Sequence, residues 1–202
     1  MRQPRQGVFI NVVASGGVPA GTKAAAKLKR EQPDAEVVIY TKGQDISYAG
    51  CGLPYYLGGD IPTREDLIVN TPQKYAGLTR VQVHTGQEAV ALDAAAKTVT
   101  LRAVDTGADH TENYDKLILA VGAEPFVPGV PGTDLPGVFK MRTPDDAIAA
   151  RDYVDKNACR RAVVVGGGFI GLEVAENLMA KGVSVTVVAM ANQLMPTIFA
   201  PE

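Results

Sequence analysis

Cysteine is scarce in this sequence: the 202 residues contain only Cys51 and Cys159, which are 108 positions apart and form no disulfide framework. Basic residues are not in excess, because the net charge is -2, and nucleic acid is therefore a poor partner. No apolar run reaches membrane-spanning length, and the first residues, MRQPRQGVFINVV, lack a signal-peptide pattern. We expect a cytoplasmic protein without nucleic-acid or membrane partners, in a reducing environment that preserves a lone thiol.

The catalytic sets of several other enzyme classes are missing as well. The sequence shows no cluster of metal ligands and no Ser/His/Asp arrangement, and we assign no catalytic role to His84 or His110. It does contain 46% apolar and 21% charged residues, which is typical of a globular protein with a substantial core.

Two segments repeat one pattern of strand, glycine turn, helix and strand. They are VFINVVASGGVPAGTKAAAKLKREQPDAEVVIYTK and RAVVVGGGFIGLEVAENLMAKGVSVTVVAM. Each predicts a βαβ unit, so we expect an α/β protein with two Rossmann-like nucleotide-binding units of three-layer ββα architecture. The second unit finishes near Met190, and we expect it to be incomplete.

The sequence between the repeats is rich in short β-type runs. We predict a small antiparallel meander over roughly 81 to 114, from VQVHT, EAVALD, KTVTLRAVD and HTENY, followed by a buried strand over 117–121. The run PFVPGVPGTDLPG indicates a domain crossover, and Thr143 with Pro144 indicates a helix start. The predicted domains are 1–140 and 141–202.

The second glycine turn, GGGFIG, fits the dinucleotide-binding pattern G-x-G-x-x-G between a strand and a helix. Its first glycine makes the tight turn, its second lets a pyrophosphate approach, and its third lets the helix pack on the strand. The predicted nucleotide-binding residues here are Gly166, Gly167, Gly168, Phe169, Ile170 and Gly171.

The first turn, GGVPAG, is a looser copy. Val18 replaces the middle glycine, and Pro19 suits a first helical turn. The predicted nucleotide-binding residues are Gly16, Gly17, Val18, Pro19, Ala20 and Gly21. A turn with a purely structural role remains the alternative.

Both repeats lack the acid that normally accepts hydrogen bonds from a ribose at the end of the second strand. Thr41 and Ala189 occupy those positions. Thr41 can still form a hydrogen bond and Ala189 cannot, so the choice between NADH and NADPH stays open.

Cys51 lies alone in DISYAGCGLPYYLGGD, and it is either a working thiol or a small buried hydrophobe. A helix start at Pro54 would place the sulfur at a positive helix end, which favours the thiolate. Gly50 and Gly52 permit close approach of a flat ring or a bulky disulfide. We interpret Cys159 as a packing or surface residue.

Five motifs, GGVPAG, SYAGCGLPYYLGG, YDKLILAVGAEPFVPGVPG, VVVGGGFIGLEVAENL and MANQLMP, occur in an order that resembles the FAD-dependent pyridine nucleotide-disulfide oxidoreductases. The chain is most similar to their single-cysteine branch: coenzyme A-disulfide reductases, NAD(P)H persulfide reductases and NADH oxidases. The family's full chains are longer and form homodimers, so the resemblance covers an N-terminal portion. It implies an FAD-binding domain over 1–140 and a partial NAD(P)-binding domain over 141–202.

The resemblance also implies roles for individual residues. FAD would contact the first glycine turn together with Thr41, Lys42, Ala120, Val121 and Gly122. The family usually has Glu where Thr41 and Ala189 stand, and coenzyme A-disulfide reductases tend to have Asn where Gly50 stands. Tyr56 occupies the place of a second cysteine, so an internal disulfide with Cys51 is excluded.

The implied activity is NAD(P)H-driven reduction of a coenzyme A disulfide, persulfide or polysulfide, with Cys51 as the redox residue. The alternatives are an NADH oxidase or peroxidase that uses a cysteine sulfenic acid, and a non-catalytic nucleotide-binding fragment. Lys23, Lys27 and Arg30 share one helix face, which we interpret first as a solvated face; coenzyme A phosphates held there are the alternative. We predict substrate contacts from Lys27, Arg30, Ser47 and Tyr55.

Overall fold

The computed structural model describes residues 9–13, 18–195 and 198. Gly16 and Gly17 of the first glycine turn lie outside the described residues. The chain divides into two compact units. Unit 1 contains Met1–Tyr48 and Ile68–Ala123, and unit 2 contains Ala49–Leu67 and Glu124–Glu202. The assignment of residues 1–140 to FAD and 141–202 to NAD(P) stays a prediction.

The elements of unit 1 are β1 Phe9–Val13, α1 Val18–Glu31, β2 Glu36–Tyr40, α4 Pro72–Thr79, β3 Gln82–His84, β4 Gln87–Asp93, β5 Thr98–Ala103, β6 Asp109–Asn113 and β7 Lys116–Leu119. Its strands form a four-stranded parallel sheet with strand order β3-β2-β1-β7 and a three-stranded antiparallel sheet with order β4-β5-β6.

The elements of unit 2 are a 3-10 turn Gly50–Gly52, α2 Leu53–Gly58, α3 Arg64–Leu67, α5 Pro144–Lys156, β8 Arg161–Val165, α6 Phe169–Ala180 and β9 Ser184–Val188. Its strands β8 and β9 pair in parallel, with helices packed against them. No helix among the described residues is long and apolar enough to cross a membrane.

Hydrophobic burial explains the parallel sheet of unit 1. One side of β2 presents Val37 and Ile39 to a core that also contains Ala25 of α1 and Tyr75 of α4. The opposite side presents Val38 and Tyr40 to the meander. A strand that is buried on both faces has a continuous apolar sequence, and β2 has VVIY after its first residue. The α/β fold class is confirmed.

The prediction that the meander begins at residue 81 was wrong. Gln82–His84 pairs in parallel with Val38–Tyr40 at the edge of the four-stranded sheet. Val81 is buried in the core beneath this sheet, and Gly86, with φ +67°, turns the chain before β4 begins. The meander therefore covers Gln87–Asn113. The strand predicted over 117–121 runs from Lys116 to Leu119.

The start of α5 follows the sequence signals directly. The Thr143 hydroxyl accepts a hydrogen bond from the Asp146 amide, and the Asp146 carboxylate accepts one from the Thr143 amide. This reciprocal capping box, with Pro144 in the first turn, satisfies amides that a helix end leaves unpaired.

Ionisation of Tyr40 lowers the stability of unit 1 at alkaline pH. Its ring stacks on His84 with the ring centres 5.1 Å apart, and its hydroxyl donates a hydrogen bond to Glu112. Burial, reinforced by the Glu112 charge, raises the pKa of Tyr40 to about 12. Because the unfolded tyrosine loses its proton near pH 10, the folded state holds that proton more tightly.

We predict that this contribution to the free energy of unfolding is complete below pH 10 and is lost as the pH rises from 10 to 12. Urea unfolding across that range should show a shallower loss of stability in Tyr40→Phe than in the unaltered protein. Parallel pH profiles for the two proteins would contradict the assignment.

Candidate functional site

Cys51 lies in the 3-10 turn Gly50–Gly52, immediately before α2. The turn is closed by the Gly52 amide, which donates to the Ala49 carbonyl at 2.8 Å. The Cys51 side chain is exposed. The interpretation of Cys51 as a small buried hydrophobe was therefore wrong, and the thiol can meet a dissolved sulfur compound.

The two glycines that flank Cys51 differ in their surroundings. A Cβ atom on Gly50 would meet nothing within 4 Å, so this side of the thiol is open. A Cβ atom on Gly52 would lie 2.8 Å from Cδ1 of Ile61 and 3.2 Å from Cδ2 of Leu67. Gly52 is buried and serves internal packing, so the expectation of an open approach holds for Gly50 alone.

Helix α2 holds the cysteine turn through its buried face. Leu57 packs in a cluster with Ala150 of α5, Leu178 of α6 and the nearby Val183. Tyr55 points outward and is 38% exposed, whereas Tyr56 is buried. The thiol is thus attached to a short helix that is anchored on two longer ones.

The approach of α2 to α6 is close because Gly58 has no side chain. A Cβ atom there would lie 2.3 Å from Oδ1 of Asn177 and 3.0 Å from its Cβ. Asn177 is itself buried, and its amide donates to the Glu173 carbonyl at 2.8 Å. Gly59 then ends α2 with φ +103°, a left-handed conformation that favours glycine.

Arg151 of α5 holds the chain that leaves α2. Its guanidinium donates to the carbonyls of Ile61 and Pro62, at 3.3 and 3.1 Å. The same group lies 4.7 Å from the centre of the Tyr56 ring, in cation–π geometry. Sequence reasoning missed this residue, because an arginine on a polar helix carries no signal of a distant backbone partner.

The glycine turn before α6 is tight and closely packed. Gly166 has φ +121°, and its amide donates to the Val188 carbonyl at 2.8 Å. A Cβ atom on Gly171 would lie 2.0 Å from the Gly166 oxygen, whereas one on Gly168 would meet nothing. The turn is therefore tight, its helix packs closely, and the space at the α6 N-terminus is open. Phe169 and Ile170 are exposed there.

Ala189, at the end of β9, faces this turn. Its Cβ lies 3.1 Å from the position that a Cβ on Gly167 would occupy, and Cδ2 of Leu194 lies 2.8 Å from the same position. The position expected to carry a ribose-binding acid is thus beside the turn, but its side chain is a methyl group.

Apart from Gly16 and Gly17, the predicted flavin contacts lie at one edge of the parallel sheet. Val18, Pro19 and Ala20 begin α1, while Thr41 follows β2 and residues 120–122 follow β7. Since β2 and β7 both pair in parallel with β1, their carboxyl ends share that edge.

Burial and charge differ among these residues. Gly21, Thr41 and Ala120 are buried, while Val121 and Gly122 are exposed. Gly122 has φ +69°. The Lys42 ammonium pairs with Glu88 at 3.0 Å. Thr41 is thus a buried polar residue at the carboxyl end of β2, while Pro19 and Ala20 at the start of α1 are exposed.

The substrate candidates divide into two groups. Lys27 forms an exposed ion pair with Glu31 one turn away, which is typical of a solvated helix face. Arg30 instead lines a cavity of about 250 Å³ together with Lys29 and Arg80, the residue that ends α4. Arg80 carried no signal in the sequence, because its position beside α1 depends on tertiary packing.

Ser47 and Tyr55 do not line this cavity. Ser47 is partly buried, and its carbonyl accepts a hydrogen bond from the Val69 amide at 2.9 Å.

Cys159 is partly buried, and its thiol lies 3.9 Å from the Tyr153 carbonyl oxygen, in agreement with a packing role.

Comparison with known proteins identifies the family. The model of the pyridine nucleotide-disulphide oxidoreductases matches residues 10–202. The chain belongs to this family, as the five ordered motifs predicted.

Two curated relatives resemble almost all of the chain. An NADH oxidase of Methanocaldococcus jannaschii is 38% identical over 95% of this chain and 42% of its own length. A CoA-dependent NAD(P)H sulfur oxidoreductase of Pyrococcus abyssi is 36% identical over 95% of this chain and 42% of its own length. The chain thus spans less than half the length of these relatives.

Solved structures show the same fold. Reduced CoADR-RHD of Bacillus anthracis superposes with a TM-score of 0.89 and 39% identity, over 96% of this chain and 34% of that one. An engineered water-forming NADPH oxidase bound to NADPH gives a TM-score of 0.83 and 31% identity, over 94% of this chain and 41% of that one.

We predict that Gly58→Ala lowers the free energy of unfolding by about 1 to 3 kcal/mol, because the added methyl group overlaps the buried Asn177 side chain. Gly77→Ala is the matched control: Gly77 is exposed within α4, and a Cβ there meets nothing within 4 Å. That variant should be unchanged or more stable by up to about 1 kcal/mol. Urea unfolding measures both, and equal stability of the two variants would contradict close packing of α2 on α6.

Proposed function

We propose that the whole protein carrying this chain uses NAD(P)H and FAD to reduce a coenzyme A disulfide, persulfide or polysulfide through Cys51. The observation that carries the proposal is the exposed Cys51 thiol in a turn anchored through α2 to α6. Helix α6 begins at the dinucleotide-type glycine turn. The thiol and that turn therefore lie in the same compact unit, which contains Ala49–Leu67 and Glu124–Glu202.

The residues present fit both nucleotides. NADH or NADPH would bind at Gly166–Gly171, where the tight turn exposes the α6 N-terminus to a pyrophosphate. FAD would bind along Val18–Gly21, with Thr41, Lys42 and residues 120–122 at the same sheet edge. When bound, FAD supplies the two-electron chemistry that links the nicotinamide to sulfur.

The contribution of Cys51 is thiol–disulfide exchange. Its thiolate attacks one sulfur of the substrate disulfide, a mixed disulfide forms, and the other sulfur leaves as a thiolate. Two electrons and one proton from NAD(P)H then break the sulfur–sulfur bond of the mixed disulfide, which releases the second thiol and restores the Cys51 thiolate. The open space at Gly50 leaves room for the incoming sulfur compound.

The cavity beside α1 supports a coenzyme A-type substrate. Coenzyme A carries several phosphates, and Arg30 and Arg80 both line one cavity of about 250 Å³. Lys29 also lines it, but its ammonium donates a hydrogen bond to the Ala35 carbonyl at 2.5 Å. Planar guanidinium groups match phosphate oxygens with paired hydrogen bonds. Ser47 and Tyr55 stay predicted substrate contacts, and Lys27 is a weaker candidate because Glu31 holds its ammonium.

The engineered NADPH oxidase supports the nicotinamide assignment through residue spacing. Its changes replace a glycine by alanine and, 18 positions on, an aspartate by alanine, with a proline also changed 25 positions after the glycine. This chain has Gly171, Ala189 and Pro196 at the same spacings. We assign Ala189 to the position of that aspartate.

A second candidate function is an NADH oxidase or peroxidase in which Cys51 cycles through a sulfenic acid. Exposure of the thiol suits this chemistry, and the relative from Methanocaldococcus jannaschii is named an NADH oxidase.

We also propose that the whole protein is a cytoplasmic homodimer. A non-catalytic nucleotide-binding protein would differ from both enzymes by purifying without a flavin absorption band.

The thiol role is tested with Cys51→Ser in the whole protein. NADH consumption with coenzyme A disulfide as substrate should fall by roughly 100-fold or more, because serine cannot form the mixed disulfide. Cys159→Ser is the matched control and should keep its activity. Unchanged turnover in Cys51→Ser would exclude the relay, and oxygen consumption faster than disulfide turnover would favour the oxidase.

The substrate class is tested with Arg80→Gln. Loss of one phosphate contact should raise KM for coenzyme A disulfide about tenfold with little change in kcat. Lys97→Gln is the control, because Lys97 also has a positive φ and an exposed cation but does not line the cavity. Equal KM values for the two variants would remove the cavity from the substrate site.

A further inference from the structure

The turn that carries Cys51 rests on the chain that follows α2. The Ala49 amide donates a hydrogen bond to the Leu67 carbonyl at 2.8 Å, and the Gly52 amide donates to the Ala49 carbonyl at 2.8 Å. Side-chain atoms of Ile61 and Leu67 lie 2.8 and 3.2 Å from the position that a Cβ atom on Gly52 would occupy. The backbone next to the thiol is therefore in contact with two apolar side chains.

These two side chains are held in different ways. Leu67 is fully buried in α3, so burial holds it in place. Ile61 lies in the connection between α2 and α3 and is only partly buried. Its amide donates to the Tyr55 carbonyl at 3.3 Å, which is long for a hydrogen bond. Ile61 therefore needs a further contact if it is to stay against Gly52.

Arg151 of α5 supplies that contact. Its Nη1 donates to the carbonyls of both Ile61 and Pro62. The same guanidinium lies over the ring of Tyr56, which is buried in α2. One side chain thus ties the connection after α2 to α2 itself. Because the donor is charged, its hydrogen bonds are stronger than those between neutral groups.

We propose that Arg151 is a positioning residue for the Cys51 thiol and that it acts through Ile61. The inference rests on the proposed function of Cys51 and adds the residue that fixes the direction of its sulfur. Without the guanidinium, Ile61 loses its support and the backbone at Gly52 gains freedom. Misplacing a reacting group by about 1 Å reduces a rate by up to about 100-fold, even when the altered residue is distant from the chemistry.

Steady-state kinetics of the whole protein with coenzyme A disulfide tests the effect on the reaction. Arg151→Gln should lower kcat about tenfold and change KM by less than about twofold, because the loss is one of orientation and not of substrate binding. Arg151→Lys keeps the charge but lacks the planar group that reaches two carbonyls and a ring together, so it should restore kcat only in part.

Asp155→Asn is the matched control for charge. Its carboxylate lies 3.9 Å from Nε of Arg151, and the substitution leaves the contacts of Arg151 with Ile61 and Pro62 in place. This variant should keep the kcat of the unaltered protein. A fall in kcat as large as that of Arg151→Gln would assign the effect to surface charge and contradict the positioning role.

Amide hydrogen exchange provides a measurement that does not depend on turnover. In Arg151→Gln the amides of Ala49 and Gly52 should exchange about tenfold faster or more, while those in the middle of α6 keep their rates. Equal acceleration throughout unit 2 would show a general loss of stability and would contradict a local role. If Arg151→Gln does not fold, Arg151→Lys serves for both measurements, with smaller changes in the same direction.

The route through Ile61 is tested with Ile61→Ala. This variant should lower kcat by a factor similar to that of Arg151→Gln, and the double variant should be little slower than either single one, because both changes remove the same support. Effects that multiply in the double variant would show that the two residues act independently and would exclude this route.

The outcomes separate the inference from the proposed function. Unchanged kcat and unchanged exchange at Ala49 and Gly52 in Arg151→Gln, with Cys51→Ser inactive, would overturn the inference alone. Full activity of Cys51→Ser would overturn the proposed function, and with it any catalytic consequence of Arg151.

Discussion

The close contact between α2 and α6 is the constraint on which the functional part of this protein depends. Helix α2 has only six residues, too few to be stable alone, so its place is set by what it packs against. Gly58 lets it approach the buried Asn177, Leu57 enters the cluster between α5 and α6, and Arg151 fastens the chain that follows. These contacts fix the position of the Cys51 turn, which directly precedes α2.

This arrangement joins two chemical features that are more than 100 residues apart in sequence. The helix that supports the thiol packs on the helix whose N-terminus faces the proposed nicotinamide dinucleotide. Unit 1 separately gathers the proposed flavin contacts at one sheet edge and cationic side chains around one cavity. The proposed relay of electrons from dinucleotide to sulfur would need few dedicated residues, because each cofactor would be held by a local turn or sheet edge and one thiol would complete the chemistry.

Sequence reasoning succeeded where function depends on local backbone geometry. The G-x-G-x-x-G turn could be predicted because Gly166 needs a positive φ and Gly171 leaves no room for a side chain. It failed where tertiary packing decides. The run VQVHT alternates like a meander strand, yet β3 joins the parallel sheet because Val81 is buried beneath it. Gly52, Arg151 and Arg80 likewise act through partners far away in sequence.

Amide hydrogen exchange of the unaltered protein tests the central claim most directly. If α2 is held by α6, the amides of Leu57 to Gly59 should exchange as slowly as those in the middle of α6, and both should open in one cooperative step. Fast exchange across α2, at the rate of an unprotected loop while α6 stays protected, would contradict the account.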